Sequence, residues 1–319
     1  MIKTKILICV CVLVISSSTI SVSGTLVTDF VADRFNLQSE KIYSDIGNFG
    51  DTIYVDDDAP PGGDGSLEHP FRTIEEGIDA SSNGDTVFVF EGKYYEHIRI
   101  NTSIDLIGED KDLVIIDGGG YDSVVFIKSN RVNVTGFTIQ NGGFFNFPML
   151  NAAIYCVGDE CTITDNIIKD NLYNGILLYN SSNSILTENI IKDNIFGLYF
   201  LAINNCIISN NVIIKNEFGI CLGAGHNISI FKNGIRRNKF GIILAEDVNT
   251  KVYDNNFIFN LIHATFTIFE SSDTELNKNF WGRPRLLKKP ILGRMIGESE
   301  ELTPYIIYDE HPAILPKLI

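Results

Sequence analysis

Residues 175–262 divide into four consecutive blocks of 22 residues: GILLYNSSNSILTENIIKDNIF, GLYFLAINNCIISNNVIIKNEF, GICLGAGHNISIFKNGIRRNKF and GIILAEDVNTKVYDNNFIFNLI. A period of this length makes each block one structural unit, which hides its apolar face only by stacking on the next. Gly175, Gly197, Gly219 and Gly241 head the blocks. Ile176, Leu198, Ile220, Ile242 and Leu178, Phe200, Leu222, Leu244 are apolar columns two residues apart, the period of one strand face. Leu186, Ile208, Ile230, Val252 and Ile191, Ile213, Ile235, Phe257 form two more, so one block offers three short strands. Two asparagine columns, Asn189, Asn211, Asn233, Asn255 and Asn194, Asn216, Asn238, Asn260, recur at the bends, where stacked amides can bond from coil to coil. Tyr173, Phe196, Phe218 and Phe240 add an aromatic column, expected as a ladder inside the solenoid, with a sugar-stacking strip as the alternative.

Other solenoids fit less well. A leucine-rich repeat expects one asparagine and a helical half, whereas isoleucine dominates here and asparagine occurs twice; a left-handed helix of hexapeptides needs multiples of six. The expectation is an all-β chain: a right-handed parallel β-helix, a single-stranded solenoid of 22-residue coils. An earlier coil with Ile163, Asn166, Ile168 and Asn171 fits after a one-residue adjustment. An open coil exposes core and strand edges, so both ends need covering. Phe71–Ser81 places Phe71, Ile74 and Ile78 on one helical face and is expected to cap the first coil. Beyond NFWGRP at 279–284 the repeat stops, and the tail is expected to fold back as an irregular C-terminal cap. The division is then 1–24 signal peptide, 25–50 linker, 51–284 β-helix with its N-terminal cap at 51–84, and 285–319 capping tail.

Lys3 and Lys5, the apolar run Ile6 to Ile15 and the small polar stretch to Gly24 are the three parts of an export signal, and ten apolar residues are short for a bilayer span. The chain is expected to be secreted or held at the cell surface, with no transmembrane segment after signal cleavage. Its formal charge of −15 excludes nucleic acid as an expected partner and suits cations or neutral ligands such as glycans. Cys156, Cys161, Cys206 and Cys221 remain after the signal, read as small core residues, with a Cys156 to Cys161 bridge as the alternative. Asn101, Asn133, Asn180 and Asn227 head glycosylation sequons.

The segments IYVDDDAPPGGDGSLEHPFRTIEEGIDAS (53–81), GDTVFVFEGKYYEHIRI (84–100) and SIDLIGED (103–110), the G-I-x-L / N-x-I coils and the closing NFWG resemble exported parallel β-helix repeat proteins of the pectin-lyase-like superfamily. Their repeats are similar to those of NosD-type periplasmic proteins and of carbohydrate-binding and sugar-hydrolase domains. The resemblance implies the fold and leaves the activity open, because this architecture hosts lyases, hydrolases, esterases and adhesins. The polygalacturonase motifs are represented only by Gly225 and His226. Tyr94, Glu96 and Ile98 resemble an early coil of pectin methylesterases, without the later paired aspartates and arginine. For the copper role that NosD-type names imply, His69, His97, His226, His263 and His311 are scattered, and only Met149 and Met295 follow the signal.

Three candidate sites remain. Stacking sets Asp165 over Glu188 and Asp170 over Asp193, a like-charge arrangement that holds a proton or a cation and could serve a glycoside hydrolase or polysaccharide lyase. GGFFNFPMLN at 142–151 does not fit the period and must protrude, offering Phe144, Phe145 and Phe147 to a sugar or a partner. Asp56, Asp57, Asp58 and Asp64 are candidate calcium ligands, the only cofactor suggested. The leading expectation is non-catalytic binding of carbohydrate or a cell-surface component along a lateral face; an enzyme using the four acids and a structural envelope component are the alternatives.

Overall fold

The computed structural model describes residues 50–143, 151–247, 249–269, 273–282, 287–296 and 302–316. The period read from the sequence is the coil: Ile176 lies beside Leu198, Leu198 beside Ile220 and Ile220 beside Ile242, all in parallel register. Leu186, Ile208, Ile230 and Val252 make a second column, and Ile191, Ile213, Ile235 and Phe257 a third. Every one of these side chains is at most 2% exposed, so the three inward rows are one continuous core.

The third row is an eight-stranded parallel sheet, and the first two belong to a sheet of twenty strands folded around a corner. Parallel neighbours joined by crossovers of this kind wind right-handed, and the result is a right-handed parallel β-helix. The glycine column follows from the close approach of coils rather than from turn geometry. A Cβ at Gly175, Gly197 or Gly219 would lie 2.6, 2.7 or 2.5 Å from the carbonyl oxygen of the next glycine in the column. The bends themselves are made by other residues: Asp165, Glu188, Asn210, Lys232 and Asp254 all have φ between 53° and 60°, a left-handed conformation that short polar side chains tolerate best.

The asparagines behind those bends are buried and fully used. Asn189 Oδ1 accepts the backbone N–H and the Nδ2 of Asn166, and Asn211, Asn233 and Asn255 repeat the arrangement coil after coil. Each Nδ2 also donates to a carbonyl two residues earlier and to one on the preceding coil, as Asn233 does to Phe231 and Ile208. The bonds from one asparagine to the next all run toward the C-terminal end, so the last rung, Asn279, requires an acceptor that no further coil supplies. Asp309, 0% exposed, provides it: its Oδ2 accepts Asn279 N–H, Asn279 Nδ2 and Trp281 Nε1.

Asp309 is held there by the tail. Strands Lys289–Ile296 and Leu302–Asp309 form an antiparallel hairpin, the first adding to Ile262–Phe269 and the second reaching Leu276. The tail thus covers the last coil as a regular sheet extension, with more order than an irregular cap. At the other end the helix is Ile74–Ala80, begun by a Thr73–Glu76 capping box, with Ile74, Gly77 and Ile78 buried. Phe71, expected on that helix, instead forms a β-bridge with Val55. Glu96 accepts Ile74 N–H and Glu75 N–H, and burial raises its carboxyl above the ordinary range.

Asp117 carries a second polar cluster. It is 4% exposed and accepts from Lys93, Gln140, Asn141 and the Gly119 N–H. Burial opposes its charge, but these donors outweigh it and hold the carboxyl well below its ordinary 3.8. A lowered folded value means stability that is complete above the unfolded pKa and is lost as pH falls toward the folded one. The deficit of Asp117→Asn relative to the unmodified chain should therefore be full at pH 7 and shrink below about pH 4 in denaturant melts.

Removing a rung should cost more than removing a surface group. Asn233→Ala leaves the Asn211 donors without their acceptor and should lower the unfolding free energy by about 3 kcal/mol. Asp309→Ala should cost a similar amount, while Asp309→Asn, which keeps an acceptor oxygen, should cost clearly less; urea midpoints of the three variants check this ordering.

Candidate functional site

Outside the core, alternation along the first row of strands turns one residue per coil outward. The register links Arg99, Phe126, Tyr155, Leu177, Tyr199, Cys221 and Ile243 in one line. Beyond Arg99 this lateral strip is apolar and aromatic; Leu177 within it is 0% exposed, its other members are partly exposed, and Tyr179 at its margin is 44% exposed. Beside it run Tyr173, Phe196, Phe218 and Phe240, with centroids 6.0, 4.6 and 5.2 Å apart. The aromatic column is a ladder, as expected, but it lies half-buried on the outside of the coils rather than within them. The successive rings of Phe196, Phe218 and Phe240 are nearly parallel, at 13° and 7°. Their faces cover one another and present edges to solvent, a poor platform for a sugar ring.

The strip ends in a cleft of about 170 Å³ lined by His97, Ile98, Arg99, Asp122, Ser123, Phe126 and Tyr155. Ile98–Ile100 places His97 and Arg99 at its floor because Ile98 and Ile100 turn into the core. Phe126 and Tyr155 form one wall, 5.1 Å apart and tilted by 37°. Burial, and then neighbouring Tyr179, push the Tyr155 phenol above its ordinary range, so it stays a neutral donor at physiological pH. His97 Nδ1 lies 2.9 Å from the Ser123 carbonyl oxygen and donates to it, which fixes the orientation of the imidazole. Tyr121 sets its ring edge-on to this imidazole at 6.2 Å. One guanidinium, one imidazole, one carboxylate and two ring systems therefore converge on a single concavity, the combination that grips a small polar ring with some apolar surface.

Residues 143 and 152, on either side of 144–150, are both tied to this cleft. Gly143 N–H donates to the Asp122 carbonyl, and Ala152 N–H to Ser123 Oγ. Phe144, Phe145 and Phe147 lie outside the described residues. The four candidate catalytic acids do not line the cleft. Asp165, Asp170, Glu188 and Asp193 are exposed bend residues with φ of 53°, 55°, 60° and 58°. The register does bring Asp170 next to Asp193, through the Lys169–Lys192 pair, and Asp165 next to Glu188, through Thr164–Thr187. Asp165 is further engaged in an ion pair with Lys111.

The candidate calcium ligands serve separate turns. Asp56 accepts Asp58 N–H, Asp64 accepts Ser66 N–H, and Asp57 accepts Lys93 N–H. Among the described residues no three His, Cys, Asp or Glu side chains gather as a metal site. The cleft residues escaped the sequence reading because the coils that supply them are irregular. Arg99, Phe126 and Tyr155 are successive neighbours in space at spacings longer than the repeat, so an alignment at 22 residues never sets them in one column.

Comparison with known proteins agrees with this architecture. The chain is similar to the pectate lyase Pel9A, with a TM-score of 0.58, 12% identity, and coverage of 74% of this chain and 70% of that one. It is also similar to XylC, solved in complex with xylose, with a TM-score of 0.54, 12% identity, and coverage of 81% and 73%. At these identities the likeness is one of fold. An uncharacterized protein of Bacillus subtilis (strain 168), YwoF, is 26% identical over 140 residues, 40% of this chain, which spans only 29% of that protein's length. No helix among the described residues is long and apolar enough to cross a membrane. Residues 78–295, more than half of the chain and nearly all of its coils, match the family described as periplasmic copper-binding protein (NosD), and the chain belongs to that family.

Proposed function

We propose that this chain is an exported, non-catalytic β-helix protein that binds carbohydrate through the His97–Tyr155 cleft and the adjoining lateral strip. The observation that carries the reading is the cleft itself: Phe126 and Tyr155 offer ring surface to one side of a sugar while Arg99, His97 and Asp122 stand ready for its hydroxyls. The aromatic ladder contributes rigidity instead of contact, since its faces are already occupied. The formal charge of −15 disfavours a densely anionic polymer, so the fitting ligand is a neutral or sparsely carboxylated glycan whose single negative group would meet Arg99. Export rests on the signal-like residues 1–24 and on the periplasmic description of the family.

The copper in that family description does not fit the residues described. Among the described residues the histidines join no group of three potential metal ligands, and the adjacent sulfur pair, Cys156 and Cys161, is completely enclosed. No step of the proposed function runs through copper.

Binding to a glycan array, followed by calorimetry on the best ligand, tests the reading. Tyr155→Ala and Arg99→Ala should each weaken affinity about tenfold, while Phe240→Ala, in the ladder, should leave it nearly unchanged. Absence of any glycan ligand, or equal losses in all three variants, would remove the cleft from consideration.

The adjacency of Asp170 and Asp193 on consecutive coils supports a second reading, a polysaccharide lyase or glycoside hydrolase acting at that bend. A screen of uronate and neutral polysaccharides with and without calcium separates the two. Turnover that survives in both Asp170→Asn and Asp193→Asn would clear these acids of a role.

A further inference from the structure

Cys156 ends the strand Ala152–Cys156, and Cys161 immediately precedes Thr162–Thr164, so the pair brackets one bend. The same bend in the following coil runs from Leu178 to Ser184, which the register aligns with Cys156 and Cys161. It is one residue longer there. The shorter bend draws its two ends together, and the coil in which this happens carries cysteine at both of them. Later coils place Phe200 and Cys206, Leu222 and Ile228, and Leu244 and Thr250 at these positions, never two cysteines.

The Sγ atoms of Cys156 and Cys161 are 2.8 Å apart. Non-bonded heavy atoms settle at about 3.5–4.0 Å, so two separate thiols are crowded at this distance, whereas a bond between them would relieve the contact. Both residues are 0% exposed. Both sulfurs lie near the Gly158 carbonyl, at 3.4 and 3.6 Å, an oxygen to which Ser181 Oγ already donates at 2.6 Å, and Cys161 Sγ is otherwise only 3.9 Å from the Ser129 and Asp159 carbonyls. Cys206 and Cys221 form no such pair, and burial raises both of their thiols to about 11.

We infer that Cys156 and Cys161 are joined by a disulfide in the mature protein, a staple across the shortened bend of the coil that supplies Tyr155 to the cleft. The inference rests on the export reading only for the compartment in which the bond forms. The reaction is thiol–disulfide exchange with a small disulfide such as oxidised glutathione. One cysteine thiolate attacks it to give a mixed disulfide and one reduced glutathione. The second thiolate displaces the other, so two protein thiols lose two protons and two electrons to the glutathione disulfide. In the closed coil the contact with Cys161 and then burial hold the Cys156 thiol far above its ordinary value. A neutral, enclosed thiol is a poor nucleophile, and the exchange must precede closure of the coil. The bond also withdraws from copper the only adjacent sulfur pair among the described residues.

The test is refolding of the full chain in a glutathione redox buffer, then denaturation without reductant, alkylation and peptide mapping. The expected result labels Cys206 and Cys221, together with Cys9 and Cys11 wherever residues 1–24 are retained, and recovers a peptide containing Cys156 and Cys161 that is two hydrogens lighter and takes label only after reduction. Full labelling of Cys156 and Cys161 without reductant, or a different pairing, overturns the inference. Reductant should lower the apparent Tm by about 5 °C, and it should have no effect on the Cys156→Ser/Cys161→Ser chain. Because refolding takes place outside the cell, a failure here counts against the bond itself. A bond that forms in the redox buffer but is missing from protein taken from cells counts against export.

Discussion

A coil that bends three times exposes backbone amides at every bend, and a buried amide without an acceptor costs about 1–3 kcal/mol. At two of the three bends the acceptor is the asparagine of the next coil, which satisfies the backbone N–H and side-chain amide before it, while each Nδ2 also reaches carbonyls on two coils. The apolar rows exclude water, and the amide rows set the register. A slip of one residue would set hydrocarbon opposite a donor and turn every strand inside out.

What could be read from the sequence followed from this coupling. Residues 175–262 repeat without insertion, so columns in the text are neighbours in space, and the strands, the core rows and both asparagine rows were all visible there. The partner of the last rung was not visible. Asp309 is thirty residues from Asn279 and reaches it only because a hairpin folds back, and nothing in the tail's composition announces that pairing. The cleft was hidden for a related reason: Arg99, Phe126 and Tyr155 meet across coils of unequal length. The acid columns were visible because Glu188 and Asp193 fall in the regular part and Asp165 and Asp170 one coil before it; all four occupy left-handed bends, a conformation that short polar residues tolerate on backbone grounds alone.

The lateral surface separates two uses of aromatic rings. Where rings stack face on face from coil to coil, as Phe196, Phe218 and Phe240 do, they stiffen the solenoid and have little left to offer a ligand. Where the stack is broken by tilt and flanked by charge, as at Phe126 and Tyr155, ring surface becomes available beside groups that can orient a polar molecule. Family membership describes the coil that both regions share.

The one-way direction of the asparagine row makes the two ends of the solenoid chemically different. The first rung is met by backbone donors and acceptors of Phe137 and Val134, and the last by a carboxylate. Between them the amide bonding repeats at each junction, and from Asn189 to Asn255 the spacing is a constant 22 residues, so a whole turn could be gained or lost there without either terminus meeting a new partner. Lineages of this chain are thus free to change length in quantised steps, while any truncation that removes the carboxylate leaves the row open, whatever its length.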